Sequence, residues 1–521
     1  MFRSHPKGLW VLFFTEMWER FGFYLLVSVF LLYMQDRERN GLGLGIEESN
    51  AIYGTFMALV YLTPFFGGVL ADRWLGYRRS IQLGGLLMGL GYLGVGVLPG
   101  MGAFYASLAL VVLGNGLFKP NMSALVGGLY PEGSPLKDAG YNIFYMGINI
   151  GAFVCNFAAA ILRNTYTWGH AFAAAGIGML IGLATFVLGR GLFAAARDRG
   201  DAVAVPPGAL RRMALGVFLP AAAAGALGYL VASWVSLGPV LTPVNAAFFA
   251  AVLVIAGYYL KLWLGAPRED RGPLGCLLAI SGVAVIFWMV FYQNGSTLTM
   301  WARDHTNREA GPAWTKVLED LSMSEVAPES YWENADPARR PPAGAKVVLF
   351  STELFQTINP FFIVVLTPAL VGLFGWLRRR GKDPSTPAKI AWGLFVASLS
   401  CLVMLAGTVA AGGGKTSWLW LFGYYVAISV GELCLSPMGL SLVSKLAPFH
   451  LTAVMMGGWF LATSIGSKLS GVMGGLTERI PVGAVFVVNA AAALLAALGI
   501  GLAVPRIRRI LEEHANRARR A

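Results

Sequence analysis

Charge is scarce in this chain. Only 13% of its 521 residues are Asp, Glu, Lys or Arg, while 56% are hydrophobic; soluble domains carry roughly 25% charged residues. A water-soluble globular protein is therefore excluded. Histidine and cysteine are nearly missing as well, at five and four residues. Cys155, Cys276, Cys401 and Cys434 all fall in apolar runs without metal-ligand spacing, so packing is their expected role and no metal is expected. His5, His170, His305, His450 and His514 lie near ends or connections, which leaves no histidine in mid-membrane. Phosphate loops are absent too. "GLGLG" at Gly41 follows an apolar run rather than a strand, and "GGGKTS" at Gly412 has Val409 where the first glycine would stand. With no triad, metal set or nucleotide loop, an enzyme is not expected.

What the chain does have is apolar runs of about 20 residues, the length that spans hydrocarbon. They fall near 9–34, 50–71, 80–99, 103–129, 141–162, 168–189, 210–234, 242–264, 274–301, 347–377, 388–411, 416–443, 450–475 and 482–505. Fourteen transmembrane helices of an all-α integral membrane protein are predicted, with both termini on one side. The first run lacks a small-residue cleavage site and holds internal charges, so it reads as a retained span rather than a signal peptide. Of the 40 Lys and Arg, the terminal side receives 26 and the other side 11, while Arg20, Lys119 and Lys468 lie within spans. That bias places the termini in the cytoplasm. The net charge of +13 then reflects topology and attraction to anionic lipid, and gives no reason to expect nucleic acid.

Two charge-rich segments, "RDRGDAVAVPPGALRRM" and "GAPREDRGPLG", flank the seventh and eighth runs. The expected organisation is a six-helix bundle over 1–200, an inserted helix pair over 201–270, a second bundle over 271–505, and a basic tail over 506–521 on the membrane surface. Paired bundles enclosing a midplane site are a transporter pattern. The longest connection, 303–346, reads as a solvated loop on the periplasmic side rather than a lid.

A charge at a helix centre costs roughly 2.5–3.5 kcal/mol on insertion scales, so each intramembrane ionisable group is a functional candidate. These are Glu16, Glu19, Arg20, Lys119, Glu353, Glu432 and Lys468. Glu16 and Arg20 stand at i and i+4 in the favourable order, with Glu19 on a neighbouring part of that face. One cation meets two acids, and two ionised carboxylates in low dielectric leave an excess negative charge that a proton can remove. An ion network that only joins helices would not need the surplus acid. Lys119, beside Pro120, and Glu432, with no local cation, come from different halves and would give a cavity oppositely charged walls that suit a zwitterion. Asn149 and Asn359 offer buried amides. Tyr24, Tyr61, Tyr145, Trp288, Tyr292, Trp459 and Phe460 are aromatic candidates for its walls, although ordinary helix packing explains any one of them equally well.

The stretches "TEMWERFGFY", "YLTPFFGGVLADRWLG", "LGNGLFKPNMSALVG", "FYMGINIGAF", "FQTINPFF" and "GELCLSPMGLSLVSKLAP", in this order, resemble the successive motifs of the proton-dependent oligopeptide transporters, a branch of the major facilitator superfamily. The resemblance covers nearly the whole chain. It implies the major facilitator fold, two six-helix bundles plus an inserted pair, and a symporter importing di- and tripeptides across the bacterial inner membrane, with peptide-like drugs as further candidate loads. It implies no cofactor besides the coupling proton, and a monomer. By position, Glu16, Glu19 and Arg20 would couple protons. Lys119 would meet the peptide carboxylate or pair across the cavity, and Glu432, with Asn149 and Asn359, would hold the amino group. Tyr24, Tyr61, Trp288, Gln293, Trp459 and Phe460 would line the substrate site, with Glu353, Lys119 and Glu432 in gating positions.

The chain also departs from that pattern. Many bacterial members carry an arginine and a glutamate, thought to pair in closing the outer face, where this chain has Val27 and Gln293. Animal members have a histidine where this chain has Gly54. Losing both members of the pair strands no charge, and it leaves the outer gate unaccounted for.

Overall fold

The computed structural model describes residues 5–130, 136–194, 196, 211, 214–332, 342, 346–447 and 451–518. Most of the linker proposed around residue 201, part of the 303–346 connection and the last three residues of the tail lie outside them. In hydrocarbon every backbone N–H and C=O must bond within its own segment, so apolar runs of this length become helices. They are α1 (Lys7–Gln35), α2 (Ile46–Leu70), α3 (Gly76–Val97), α4 (Met101–Gly127), α5 (Lys137–Thr165), α6 (Trp168–Leu188), α7 (Leu219–Trp234), α8 (Pro243–Gly265), α9 (Arg268–Phe291), α10 (Ile358–Arg379), α11 (Thr386–Ala411), α12 (Leu419–Leu446), α13 (Thr452–Gly475) and α14 (Val482–Ala518). Thirteen of these segments are long and apolar enough to cross a membrane by themselves. The exception is α13, rich in Gly, Ser and Thr and carrying Lys468, which packs between α2 and α9.

The helices form two sets with one packing scheme. In the first set α1 lies on α5 and α6, α3 on α4 and α6, and α2 on α4. In the second, α9 lies on α13 and α14, α11 on α12 and α14, and α10 on α12. Each of these principal contacts of one set has its counterpart in the other, which is the duplicated architecture of the major facilitator fold. The halves meet where α2 packs on α13 and where α5 meets α10. Between them in sequence, α7 and α8 pack chiefly on each other. Tyr259 on α8 reaches α13 by donating to the Val454 carbonyl at 2.7 Å.

Four expectations change. The ninth run is interrupted by a tight turn at Tyr292–Gly295 before a short helix at Thr297–Asp304, and the tenth begins as strand β3 (Val348–Phe350). The basic tail is a continuation of α14 as far as Ala518, because nothing in "RIRRILEEHANRA" breaks a helix beyond Pro505. The 303–346 connection is not simply a solvated loop in its described part. It carries β1 (Thr306–Asn307), a short helix (Pro312–Asp320) and β2 (Ser324–Val326). β2 pairs antiparallel with β3 in the register Ser324↔Phe350, and β1 pairs parallel with β4 (Thr416–Ser417). The resulting cap sits on the face opposite the termini.

Candidate functional site

Between the two sets lies a cavity of about 310 Å³. Its walls bring together Glu16, Arg20 and Tyr24 of α1, Tyr61 of α2, Lys119 of α4, Tyr145 and Asn149 of α5, Trp288 of α9, Asn359 of α10, Glu432 of α12, and Trp459 and Phe460 of α13. Residues more than 400 positions apart thus share one surface.

Arg20 decides how the α1 cluster is arranged. It grips Glu19 with two nitrogens, Nε to Oε2 and Nη2 to Oε1 at 2.6 Å, and holds Glu16 only at 3.6 Å. Glu19 is fully buried behind the cavity wall, while Glu16 lines the cavity and keeps one oxygen without a partner. The two acids are therefore unequal: one is clamped and the other is available. The guanidinium also lies 4.9 Å from the Phe23 ring centroid. Its Nη2 is 3.5 Å from the Asn115 Oδ1, and the Asn115 amide donates to the Val60 carbonyl at 2.8 Å. Asn115 escaped the sequence reading, although it stands one turn before Lys119 and hence on the same helical face.

Among the described residues Lys119 has no carboxylate within ion-pair distance, and its ammonium lies 4.5 Å from the Tyr61 ring centroid. Glu432 accepts from Asn359 Nδ2 at 3.3 Å, and that amide also donates to Ser429 Oγ at 2.9 Å. The salt bridge between Lys119 and Glu432 is not made in this state; the two charges face the same empty volume from different halves. Pro120 keeps one backbone N–H out of α4 beside Lys119. A Cβ on Gly67 would fall 1.9 Å from the Gly116 carbonyl oxygen, so α2 and α4 approach closely just there. An aromatic band runs along one side: Tyr61 against Tyr292 at 5.5 Å, and Trp288 stacked on Tyr292 at 5.7 Å. The buried Trp288 Nε1 has no partner among the described residues and offers a donor to a ligand.

Gln293 is not part of this wall. It is 1% exposed, its Oε1 accepts from Thr297 Oγ1 at 2.5 Å and its Nε2 donates to the Met289 carbonyl at 3.2 Å. The turn that begins at Tyr292 carries the side chain away from the cavity, so the expected substrate contact is not present. Tyr53, Asn156, Asn294, Gln356, Ser436 and Thr463 line the cavity unforeseen, since uncharged side chains in an apolar run give no signal of the direction they face.

On the face opposite the termini the halves are sealed. Gln35 accepts from Arg303 at 2.8 Å and Arg479 pairs with Glu47 at 2.9 Å, and deeper, at the middle of α2 and α13, Ser464 donates to the Ala58 carbonyl at 2.7 Å. Glu353 lies here, away from the central cavity, 3.2 Å from the Nε of Arg163 on α5. Arg163 also pairs closely with Glu325 on β2, and Arg308 reaches Glu325 at 3.3 Å and the Phe350 carbonyl at 2.7 Å. Burial alone would push the Glu325 carboxyl up, but Arg163 and Arg308 outweigh it and hold the group well below the usual carboxylate range. Arg163 stands in the last turn of α5, at the end of an apolar run, where its sequence position does not mark it as buried.

The sequence model described as the POT family matches residues 78–323 and 348–489. The chain is 32% identical over 491 residues to the peptide transporter YePEPT of Yersinia enterocolitica, covering 91% of this chain and 88% of that one. A crystal structure of the peptide transporter POT in complex with sulfate aligns over 98% of this chain and 96% of its own, with TM-score 0.80 and 31% identity. A POT family transporter in complex with 5-aminolevulinic acid aligns over 97% and 98%, with TM-score 0.78 and 26% identity.

Proposed function

Because this chain belongs to the POT family of peptide transporters, we propose that it is a proton-coupled symporter importing di- and tripeptides across the bacterial inner membrane, with its termini in the cytoplasm. The observation that carries this reading is the pairing of charges around one cavity: Lys119 on one half, Glu432 on the other, and the Glu16–Arg20 cluster on the same wall as Lys119. A peptide in water carries a carboxylate and an ammonium. Lys119 would hold the first, and Glu432, oriented by Asn359, the second, with the aromatic band against the side chains.

Coupling follows from the inequality of the two acids. A proton on Glu16 removes the surplus negative charge and leaves Arg20 satisfied by Glu19, so the cluster is neutral and the loaded cavity can close. A deprotonated Glu16 competes for Arg20 and Lys119, weakening the hold on the peptide carboxylate. The sealed outer face belongs to the state from which the load leaves inward, and alternating access follows if the halves rock about the site. Protons moving down the membrane potential supply about 2.3 kcal/mol per charge per 100 mV.

The test is uptake of labelled dialanine into proteoliposomes with and without an inward proton gradient. Accumulation only with the gradient supports symport; gradient-independent equilibration would leave a uniporter, and binding without uptake a peptide sensor.

A further inference from the structure

One intramembrane charge has no part in the peptide site. Lys468 lies on the half of α13 nearer the sealed face and is 1% exposed. Its ammonium crosses the junction between the halves to α2, where it donates to Thr55 Oγ1 at 2.7 Å and lies 3.5 Å from the Ala51 carbonyl. The Thr55 hydroxyl in turn donates to Ala51. Among the described residues no carboxylate comes within ion-pair distance of Lys468. By contrast, the buried cations Arg20, Arg163 and Lys389 each have one, and Lys119 opens onto the cavity. Lys468 is sealed among neutral partners by the shape of the helix crossing: a Cβ on Gly54 would lie 3.0 Å from Gly471 Cα and 3.1 Å from the Lys468 carbonyl oxygen.

We infer that Lys468 is a gating residue that biases the outer crossing of α2 and α13 toward opening. An ammonium is a compact, strongly hydrated charge. When the two helices close on it, two neutral acceptors replace only part of its hydration. When the halves part, the charge faces the opened crevice and regains water. The closed outer face is thus less favoured than an apolar crossing of the same shape would be, and the chain is not trapped with that face shut. This inference deepens the alternating-access reading above and rests on it. It also addresses the uncharged outer positions Val27 and Gln293, where this chain has no ion pair to make or break.

The experiment reads outer opening directly and needs no substrate. Val27 lines the cavity beneath the seal, and the four native cysteines are buried, so Val27→Cys in intact cells reports opening through its rate of reaction with a membrane-impermeant maleimide. Lys468→Met keeps the length of the side chain and removes its charge, and should slow labelling several-fold. Thr55→Val leaves the ammonium and removes its nearest acceptor, and should speed labelling several-fold. Dipeptide binding by each purified variant shows that it has folded. If Lys468→Met labels as fast as the parent or faster, the lysine is a spectator or a latch and the inference is overturned. A Val27→Cys parent that never labels from outside would instead overturn alternating opening, and this inference with it.

Discussion

Arg20 has one guanidinium for two carboxylates and spends both of its forward nitrogens on Glu19, which makes the two acids experimentally separable. Glu16→Gln should leave the fold intact and abolish uptake driven by a pH gradient, while peptide exchange between the two sides of the membrane continues; parallel gradient-driven and counterflow assays check this. Glu19→Gln removes the clamp and leaves Arg20 buried with little compensation, a change that typically costs about 3–5 kcal/mol, so it should also lower the melting temperature in detergent. Within the same cavity, Lys119→Ala and Glu432→Ala should each weaken dipeptide binding by roughly ten- to a hundredfold, the loss of one charged hydrogen bond of about 1.5–3 kcal/mol. Amidating the peptide carboxylate should erase the difference between parent and Lys119→Ala and preserve that for Glu432→Ala. If the capped peptide shows the same ratio for both variants, the assigned ends are wrong. Residue types and local spacing made Glu16, Glu19, Arg20, Lys119 and Glu432 legible, because a charge in an apolar run stands out. They did not reveal that Arg20 prefers Glu19, which depends on side-chain conformers, or that Gln293 turns away from the cavity.

At the scale of the helix, position depends on small residues as much as on apolar length. Gly67 on α2 and Gly116 on α4 bring the two backbones together beside Lys119, and this contact sets where the ammonium stands relative to Tyr61. Gly67→Leu must push the helices apart. Overpacking of this kind typically costs 1–3 kcal/mol, so a lower melting temperature is expected, accompanied by a weaker dipeptide affinity although no binding group has been altered. An unchanged affinity in a folded Gly67→Leu protein would mean that Lys119 is not positioned by this contact. The apolar runs located most of the helices to within a few residues, since hydrocarbon forces the backbone to bond to itself, while α7, α9 and α10 each differ from their runs by about ten residues at one end. Where backbone can reach water the reading was weaker. The strand at Val348–Phe350 and the extension of α14 lie at or beyond the ends of spans, where apolar length no longer constrains the chain, and the break at Tyr292–Gly295 falls inside an apolar run whose composition does not mark it.

Across the whole molecule the two halves are joined at the outer face by contacts between distant segments, and the cap over 303–346 takes part through Glu325. Because its carboxyl is held below the unfolded value near 4.5, the stability it contributes is present above that value and is lost as the pH falls below it. Glu325→Gln should therefore destabilise the protein at neutral pH, leaving Arg163 and Arg308 short of a partner, and the difference from the parent should shrink as the pH is lowered below the carboxylate range. Melting curves at several pH values check this; a pH-independent difference would mean that packing rather than charge holds the cap. The sequence by itself determined the membrane class, the order of the apolar runs and the ionisable groups that stand inside them, because the cost of placing a polar group in hydrocarbon acts on each residue wherever it is. Only the tertiary structure decided which polar groups meet. Arg163 with Glu325, Lys468 with Thr55, and Lys119 facing Glu432 across a cavity are pairings between residues from 162 to 413 positions apart, fixed by how the elements pack, and no local spacing encodes them.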